Sequence, residues 1–470
     1  MHAKKLLRWR PSRKTFIELT HTSSVLTNCN LHTIKRLKIS FMRPIDFLDI
    51  PPEVSTRSLT TVERSFGLDW LAASNGAHKL QRLWQRLDFL ATIELITLGD
   101  AIALVKEIDS AWIVDRIKDI KVSSATSHGH LFEILGIAML ARAGMRVRPT
   151  RGNLPGVDAL VSFADGFEVR LSMKNHDISD HERFFRERSR KTRASIQKSL
   201  RAKSSSAQVV IETFECLTEP DWAKVENFIS AVPAITAQPY TREAIPKKVA
   251  VGISKLAQEM GTPPLAATHF SDTFIAISPH HKNEQKNFID KVYKATTNLR
   301  KHATRSERTA NVVFMKLHPT ATLNDIETYA RELLNDAESD PGVDAMLLYQ
   351  SSFIRRADQS SVTHHLRFIT SPRYFPAEHQ FNLAALIGLV STESSHNKLH
   401  SSNGAKLLLE GKYVYQTGDH YYLAQVTADG FSAKLTADAP GILAHAVFTQ
   451  PPPGSVIKGR FPPDEELAIL

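Results

Sequence analysis

The chain has 470 residues, 42% apolar and 23% charged, with 59 Lys/Arg against 49 Asp/Glu and a formal net charge of +10. This is the composition of a soluble globular protein, long enough for two or three domains around a large core. No apolar run reaches the roughly 18 residues that a membrane-crossing helix needs. Two distant cysteines, Cys29 and Cys216, offer neither a disulfide framework nor a zinc pattern, so a cytoplasmic protein is expected.

Residues 1–60 are mixed and proline-punctuated, ending near Pro51-Pro52, and read as partly disordered or loosely docked. The opening MHAKKLLRWRPSRKTF is basic and lacks the uninterrupted apolar stretch of a secretory signal. Over 61–123 helical periodicity dominates (LQRLWQRLDFLATIELITLGDAIALVKEI, then AWIVDRIKDI). In SATSHGHLFEILGIAMLARAG, Ser127 can cap a helix and Gly144 stops it. MRVRPT is a short strand, PGVDALVSFADGFEVRLSMKN a hairpin, and the segment from Arg183 a long basic helix. After a break at Ser204–Ser206, QVVIETFE is strand-like. Beyond Trp222 the strands VAVGISK, DTFIAIS, NVVFMKL, AMLLYQ and LRFIT alternate with helices through Asn283–His302 and Leu323–Ala337. The pattern predicts an α/β fold with a mixed sheet flanked by helices. Residues 216–376 read as an α/β extension of the sheet, and 377–470 as a β-rich C-terminal module ending in Pro451-Pro452-Pro453 and a polar tail.

The hairpin carries the chemistry. A three-residue turn at Ala164-Asp165-Gly166 sets Phe163 opposite Phe167. One face then bears Val157, Ala159, Val161, Phe163, Phe167, Val169, Leu171 and Met173, all apolar and destined for the core. The other bears Asp158, Leu160, Ser162, Glu168, Arg170, Ser172 and Lys174, polar apart from Leu160. Asp158 falls opposite Ser172, with Lys174 and Arg170 as diagonal neighbours. Glu168 lies about 14 Å further along, too far to share a metal with Asp158.

Three other features bear on function. Glu133 is the one acid between His128 and Gly144, and it either snorkels to solvent or points into a polar site. From Arg183 to Lys203 there are nine Lys/Arg against one acid, Glu187, which suits phosphate contact or a solvated helix face. The pentapeptide PGVDA recurs at Pro341–Ala345 without a following x-Lys strand, so Asp344 reads as structural. His128, His130, His176 and His181 read as capping or surface groups, and His280-His281 and His364-His365 have no assigned role.

The order helix Glu, short strand, Gly-Val-Asp strand, x-Lys strand, helix, strand resembles the PD-(D/E)xK nuclease core, closest to Mrr-like restriction endonucleases. The resemblance spans residues 124–215, carried by FEILGIAMLARAGMRVRPTRGNLPGVDALV and LSMKN. It implies a restriction-endonuclease-like core and a magnesium-dependent endonuclease that hydrolyses DNA phosphodiester bonds in restriction or defence. Glu133, Asp158, Ser172 and Lys174 would be the catalytic set, with Mg2+ held by Asp158, the Met173 carbonyl and Glu133. Ser172 stands where the family usually has Glu, Asp or Gln. Some relatives with Ser-x-Lys bring the acid from the next helix, where Asp177, Asp180 and Glu182 are available, with Glu182 as the expected metal ligand. Arg183, Arg186, Arg190, Lys191 and Arg193 would track the DNA backbone. The alternative is a nuclease fold that has lost its chemistry and serves in nucleic-acid binding or assembly. A second copy of the chain or a defence-system partner is an open expectation, and a membrane is not.

Overall fold

Two mixed sheets organise the chain, and each draws strands from distant parts of the sequence. The computed structural model describes residues 45, 50–73, 78–86, 89–123, 126–151, 154, 156–202, 207–231, 240–255, 272–302, 308–336, 342–355, 360–372, 383, 385 and short strands between 398 and 459. The expected loose segment up to residue 44, the Ser204–Ser206 break, Pro451–Pro453 and the tail after 459 lie outside the described residues. Met1–Asp46 and Phe47–Leu470 separate as two units, and every element below belongs to the second.

The first sheet contains β1 (Arg146–Pro149), β2 (Ala159–Ser162), β3 (Glu168–His176), β8 (Thr309–Leu317), β9 (Ala345–Arg355) and β10 (Ser360–Thr370), side by side in that order. β2 runs antiparallel to both β1 and β3, β8 and β9 run parallel to β3, and β10 is antiparallel to β9. The hairpin has the expected register, Ala159 opposite Leu171 and Ser162 opposite Glu168. Its turn closes with Phe163 N–H donating to Phe167 O at 2.9 Å, and Gly166 adopts φ +84°, the left-handed residue such a turn needs.

Helices cover both faces of this sheet. On one side lie α1 (Pro52–Phe66), α2 (Leu68–Leu71), α3 (Lys79–Gln85), α4 (Phe89–Ile108), α5 (Ser110–Val122) and α6 (Ser127–Arg142), packed on Ala159, Val161, Leu171, Met173, Val312 and Phe314. α6 is apolar around most of its circumference and is buried accordingly. Its cap differs from expectation: Ser127 is the first helical residue, and the helix begins at Thr126 without a side-chain cap.

α1 starts inside the segment expected to be loosely docked. Pro52 sits at its first turn, where a missing N–H costs nothing, and Val62 and Phe66 are buried in the core. A Cβ on Gly99 of α4 would lie 2.0 Å from Ser58 O, so these two helices pack backbone to backbone.

The opposite face of the hairpin was expected to be polar and open. It is instead covered by α9 (Glu284–His302), through Phe288, Val292 and Leu299, and by α10 (Leu323–Asn335), through Ile326 and Leu334, in one core with Leu160, Val313 and Met315. The cause is β8: once it pairs with β3, the hairpin's second strand becomes central and must be covered on both faces. Val157, assigned by alternation to the first face, packs in this second layer, because ladder pairing ends at Ala159 and Gly156 turns the chain at φ +82°.

The second sheet has the order β13-β7-β4-β6-β5, from β4 (Ala207–Thr213), β5 (Tyr240–Ile245), β6 (Val249–Lys255), β7 (Asp272–Pro279) and β13 (Lys412–Gly418), while β11 (Lys398–His400) and β12 (Lys406–Leu408) pair with each other. The basic helix α7 (Asp180–Ala202) packs on it through Phe185, Ile196 and Leu200, beside Trp222 and Val225 of α8 (Glu219–Ala231). β4 was expected to complete the hairpin's own sheet. It lies here instead, and the segment from α7 to β7 is inserted between β3 and the α9–β8 pair that continues the first sheet. The C-terminal region is not wholly separate either, since β13 pairs with β7 and buries Tyr413 and Tyr415 in the second core.

Candidate functional site

Asp158 and Lys174 meet where β2 ends against β3. Lys174 Nζ lies 3.2 Å from Asp158 Oδ2, and Met173 N–H donates to the same oxygen at 2.6 Å. Among the described residues no hydrogen bond falls on Asp158 Oδ1. The side chains are 21% and 29% exposed, so solvent reaches the pair. Glu168 N donates to Arg308 O and His318 N to His176 O, so the even-numbered backbone groups of β3 serve β8. The odd-numbered ones face β2, which turns the Met173 carbonyl toward Asp158.

The loop before Asp158 is held by packing. A Cβ on Gly156 would come within 2.7 Å of Asn298 Cβ on α9, a closeness only glycine allows. Thr150 N–H donates to Asp158 O at 3.1 Å, and Asp158 N–H to Leu171 O at 2.7 Å. On the opposite side, a Cβ on Gly136 would meet Met173 Sδ at 3.0 Å, so α6 approaches β3 closely one turn beyond Glu133.

Glu133 is buried, with Oε2 2.9 Å from Arg116 Nε and Oε1 3.4 Å from His130 Nδ1. Its charge acts on Asp158. Burial pushes the Asp158 carboxyl above its ordinary range, Lys174 pulls it back, and Glu133 pushes it up again. Burial is the largest of these influences, and Lys174 and Arg116 offset the two carboxylates.

The remaining predicted residues are distributed as follows. Ser172 is fully buried, and its Oγ has no partner among the described residues, so it takes no part in the Asp158–Lys174 contact. Asp177 pairs with His128 Nδ1 at 3.5 Å; against the cost of burial, Lys79 and His128 hold its carboxyl below the ordinary range. Asp180 is exposed and paired with Arg183. Glu182 is buried, bonded to Arg186 Nε at 2.9 Å and Thr320 Oγ1 at 2.8 Å, in a network distinct from Asp158. Among the described residues no group of three or more His, Cys, Asp or Glu is arranged to hold a metal.

On α7, Arg183, Arg190 and Lys191 are exposed, as are Lys198 and Arg201, and together they form a stripe at helical spacing. Arg193 is half-buried. Arg186 is held inside by Glu182, and Arg188 is drawn to Glu219 and Glu226. The stripe is thus narrower than the sequence implied, because helix packing turns two of its arginines inward.

Sequence reasoning missed two groups. Lys316 of β8 is enclosed, and burial brings its ammonium down to about 8 even with Glu94 and Asp177 nearby; one lysine in NVVFMKL was the available signal. His176, His280 and His318 line a cavity together with Glu284 and Tyr413, a convergence of four distant segments that no local motif announces.

Among the described residues no helix is long and apolar enough to cross a membrane. Comparisons with protein-family models, with curated proteins and with solved structures each returned no match.

Proposed function

We propose that this chain is a magnesium-dependent endonuclease of restriction or defence type that hydrolyses DNA phosphodiester bonds at a variant PD-(D/E)xK-like site. The observation that carries the reading is the 3.2 Å convergence of Lys174 on Asp158, from adjacent strands, with the charge of Glu133 acting on the same carboxylate. The order α6–β1–β2–β3–α9–β8, with β8 parallel to β3, supports a restriction-endonuclease-like core interrupted by the second sheet.

The donor types are those a hard cation takes. Asp158 Oδ1, the Met173 carbonyl and Glu133 are all oxygen ligands, and magnesium is commonly held by one or two carboxylates plus substrate phosphate without a dedicated cage. Bound there, the ion would polarise the scissile phosphate and acidify a coordinated water. Lys174 balances Asp158 before substrate arrives, then orients the attacking water and offsets charge on the pentacovalent phosphorus. Arg116 and His130 fix the position of Glu133. The exposed arginines and lysines of α7 track the phosphate backbone.

A second reading, nucleic-acid binding without cleavage, is favoured by one observation: Asp177, Asp180 and Glu182 all have other partners, so none replaces the acid that Ser172 lacks. Plasmid cleavage in magnesium separates the two. The parent should nick the plasmid, and Asp158→Ala and Lys174→Ala should each lose roughly 100-fold or more. Cleavage unchanged in both variants ends the nuclease reading. A parent that shifts DNA in a gel without cutting it establishes the second.

A further inference from the structure

Just beyond Lys174 the first sheet ends at a cavity of about 220 Å³. His176 of its wall lies two residues past Lys174 on the same face of β3, about 7 Å along the strand. That is the scale of one nucleotide step from the Asp158–Lys174 pair. More of the wall comes from the end of β7 (His280), the end of β8 (His318), the first turns of α7 (Glu182) and α9 (Glu284), the start of α10 (Thr322, Asp325), and Tyr413 of β13.

The wall is polar and largely immobilised by its own contacts. Glu182 is engaged by Arg186 and Thr320. The Tyr413 hydroxyl donates to Glu284, accepts His281 N–H at 3.3 Å and bonds Ser179 Oγ at 3.0 Å. Two buried atoms in the wall have no hydrogen-bond partner among the described residues, His176 Nδ1 and Thr322 Oγ1, while the His280 ring is held by the Lys412 and Thr320 backbone. His176 is only 6% exposed. Burial, reinforced by Lys291, brings its imidazole down to about 4, so at neutral pH the ring offers one donor and one acceptor. The His280 ring lies 4.7 Å from Tyr413, giving the cavity aromatic as well as hydrogen-bonding surface.

These features restrict the occupant. A phosphate would face the carboxylates of Asp177, Glu284 and Asp325, against which the lining sets the single cation Lys282. An apolar ligand would leave the buried donors and acceptors unpaired. A metal finds no suitable ligand group among the described residues. The volume falls below the roughly 300–1,000 Å³ of drug-sized sites, and a single nucleobase is a polar ligand small enough for it. Carboxylates accept hydrogen bonds from exocyclic amines of bases, and an extruded base is read by its edge and by stacking.

We propose that this cavity receives one unpaired base beside the phosphodiester held at Asp158 and Lys174, and that it favours a base bearing an exocyclic amino group. The proposal rests on the nucleic-acid reading above and supplies its selectivity. The full chain is titrated with fluorescein-labelled single strands of deoxycytidine or deoxythymidine in EDTA, so that binding is read apart from cleavage, and again with calcium. The deoxycytidine strand should bind roughly tenfold tighter. Glu284→Gln and Asp325→Asn, the latter at an exposed rim position, should each bring the ratio of affinities toward one. Parent affinities within about twofold, or a ratio that persists in both variants, overturn the base pocket and leave the nuclease reading to its plasmid assay. Binding to neither strand under either condition also overturns the base pocket, and plasmid cleavage then decides the nuclease reading by itself. Because the readout is a ratio, a variant with a reduced folded fraction does not mimic the expected result.

Discussion

Asp158 and Asp344 occupy the same pentapeptide and take the same local pose, so replacing each by alanine separates architecture from chemistry. Asp158 Oδ2 accepts Met173 N–H at 2.6 Å, and Asp344 Oδ2 accepts Asn311 N–H at 2.6 Å. Their surroundings differ. Asp344 is 2% exposed, so Asp344→Ala leaves a buried backbone N–H without its acceptor, at a cost of about 2–3 kcal/mol, the upper part of the range for a hydrogen bond to a charged group. The Asp158 side chain is 21% exposed, and burial already disfavours its ionised form. Truncation at this part-exposed position lets water reach both Lys174 and the Met173 N–H, so Asp158→Ala should cost only about 1 kcal/mol. Urea midpoints at unchanged m-value measure stability, and magnesium-dependent plasmid nicking measures activity. The expected pattern is crossed: Asp344→Ala loses more stability and keeps cleavage per folded molecule, while Asp158→Ala loses less stability and nearly all cleavage. Equal losses on both measures would refute the reasoning and reduce Asp158 to a second strand-opening residue.

Replacing Arg183, Arg190, Lys198 and Arg201 by glutamine should lower the slope of log K against log salt for duplex DNA by about 3 to 4, and an unchanged slope would remove this helix from the interface. Arg186→Gln should leave that slope alone and cost about 3 kcal/mol in a urea melt, because it leaves the buried Glu182 carboxylate unpaired. The folded state keeps His176 neutral, with its pKa lowered from 6.5 to about 4, so its contribution is present above pH 6.5 and is lost as pH falls toward 4. The loss amounts to about 3 kcal/mol. His176→Asn should flatten the acid limb of stability over that window, and an unaltered limb would mean the ring is not enclosed. Gly156→Ala should cost about 2 kcal/mol and reduce cleavage, since φ is +82° and the new Cβ would strike Asn298. Gly166→Ala, at φ +84° with only Arg308 Nη1 at 3.9 Å, should cost about 1 kcal/mol and spare cleavage; equal activity losses in both glycine variants would disconnect the Gly156 contact from the site.

Local pattern was enough for most of the elements around the hairpin and for the pairing within it, though not for the start of α1, for α8 or for β5. Alternation, the Asp165-Gly166 turn and the x-Lys ending set Asp158 across from Ser172 and within reach of Lys174, because register and turn geometry are short-range properties. The likeness between the two PGVDA copies was also visible there, down to a structural role for Asp344. Which sheet each strand joins was not. QVVIETFE and NVVFMKL are comparably apolar and each follows a helix, yet β4 enters the second sheet and β8 pairs with β3. Strand partnership is settled by burial summed over the whole chain, which no window of sequence contains. That one pairing carried the consequences the sequence could not announce: Ser172 enclosed, the hairpin's second face covered by α9, and His176, His280, His318 and Tyr413 gathered around one cavity. Packing of α7 on the second sheet likewise turned Arg186 inward while Arg183 stayed in solvent, since a helix has one buried side whatever the charges on it.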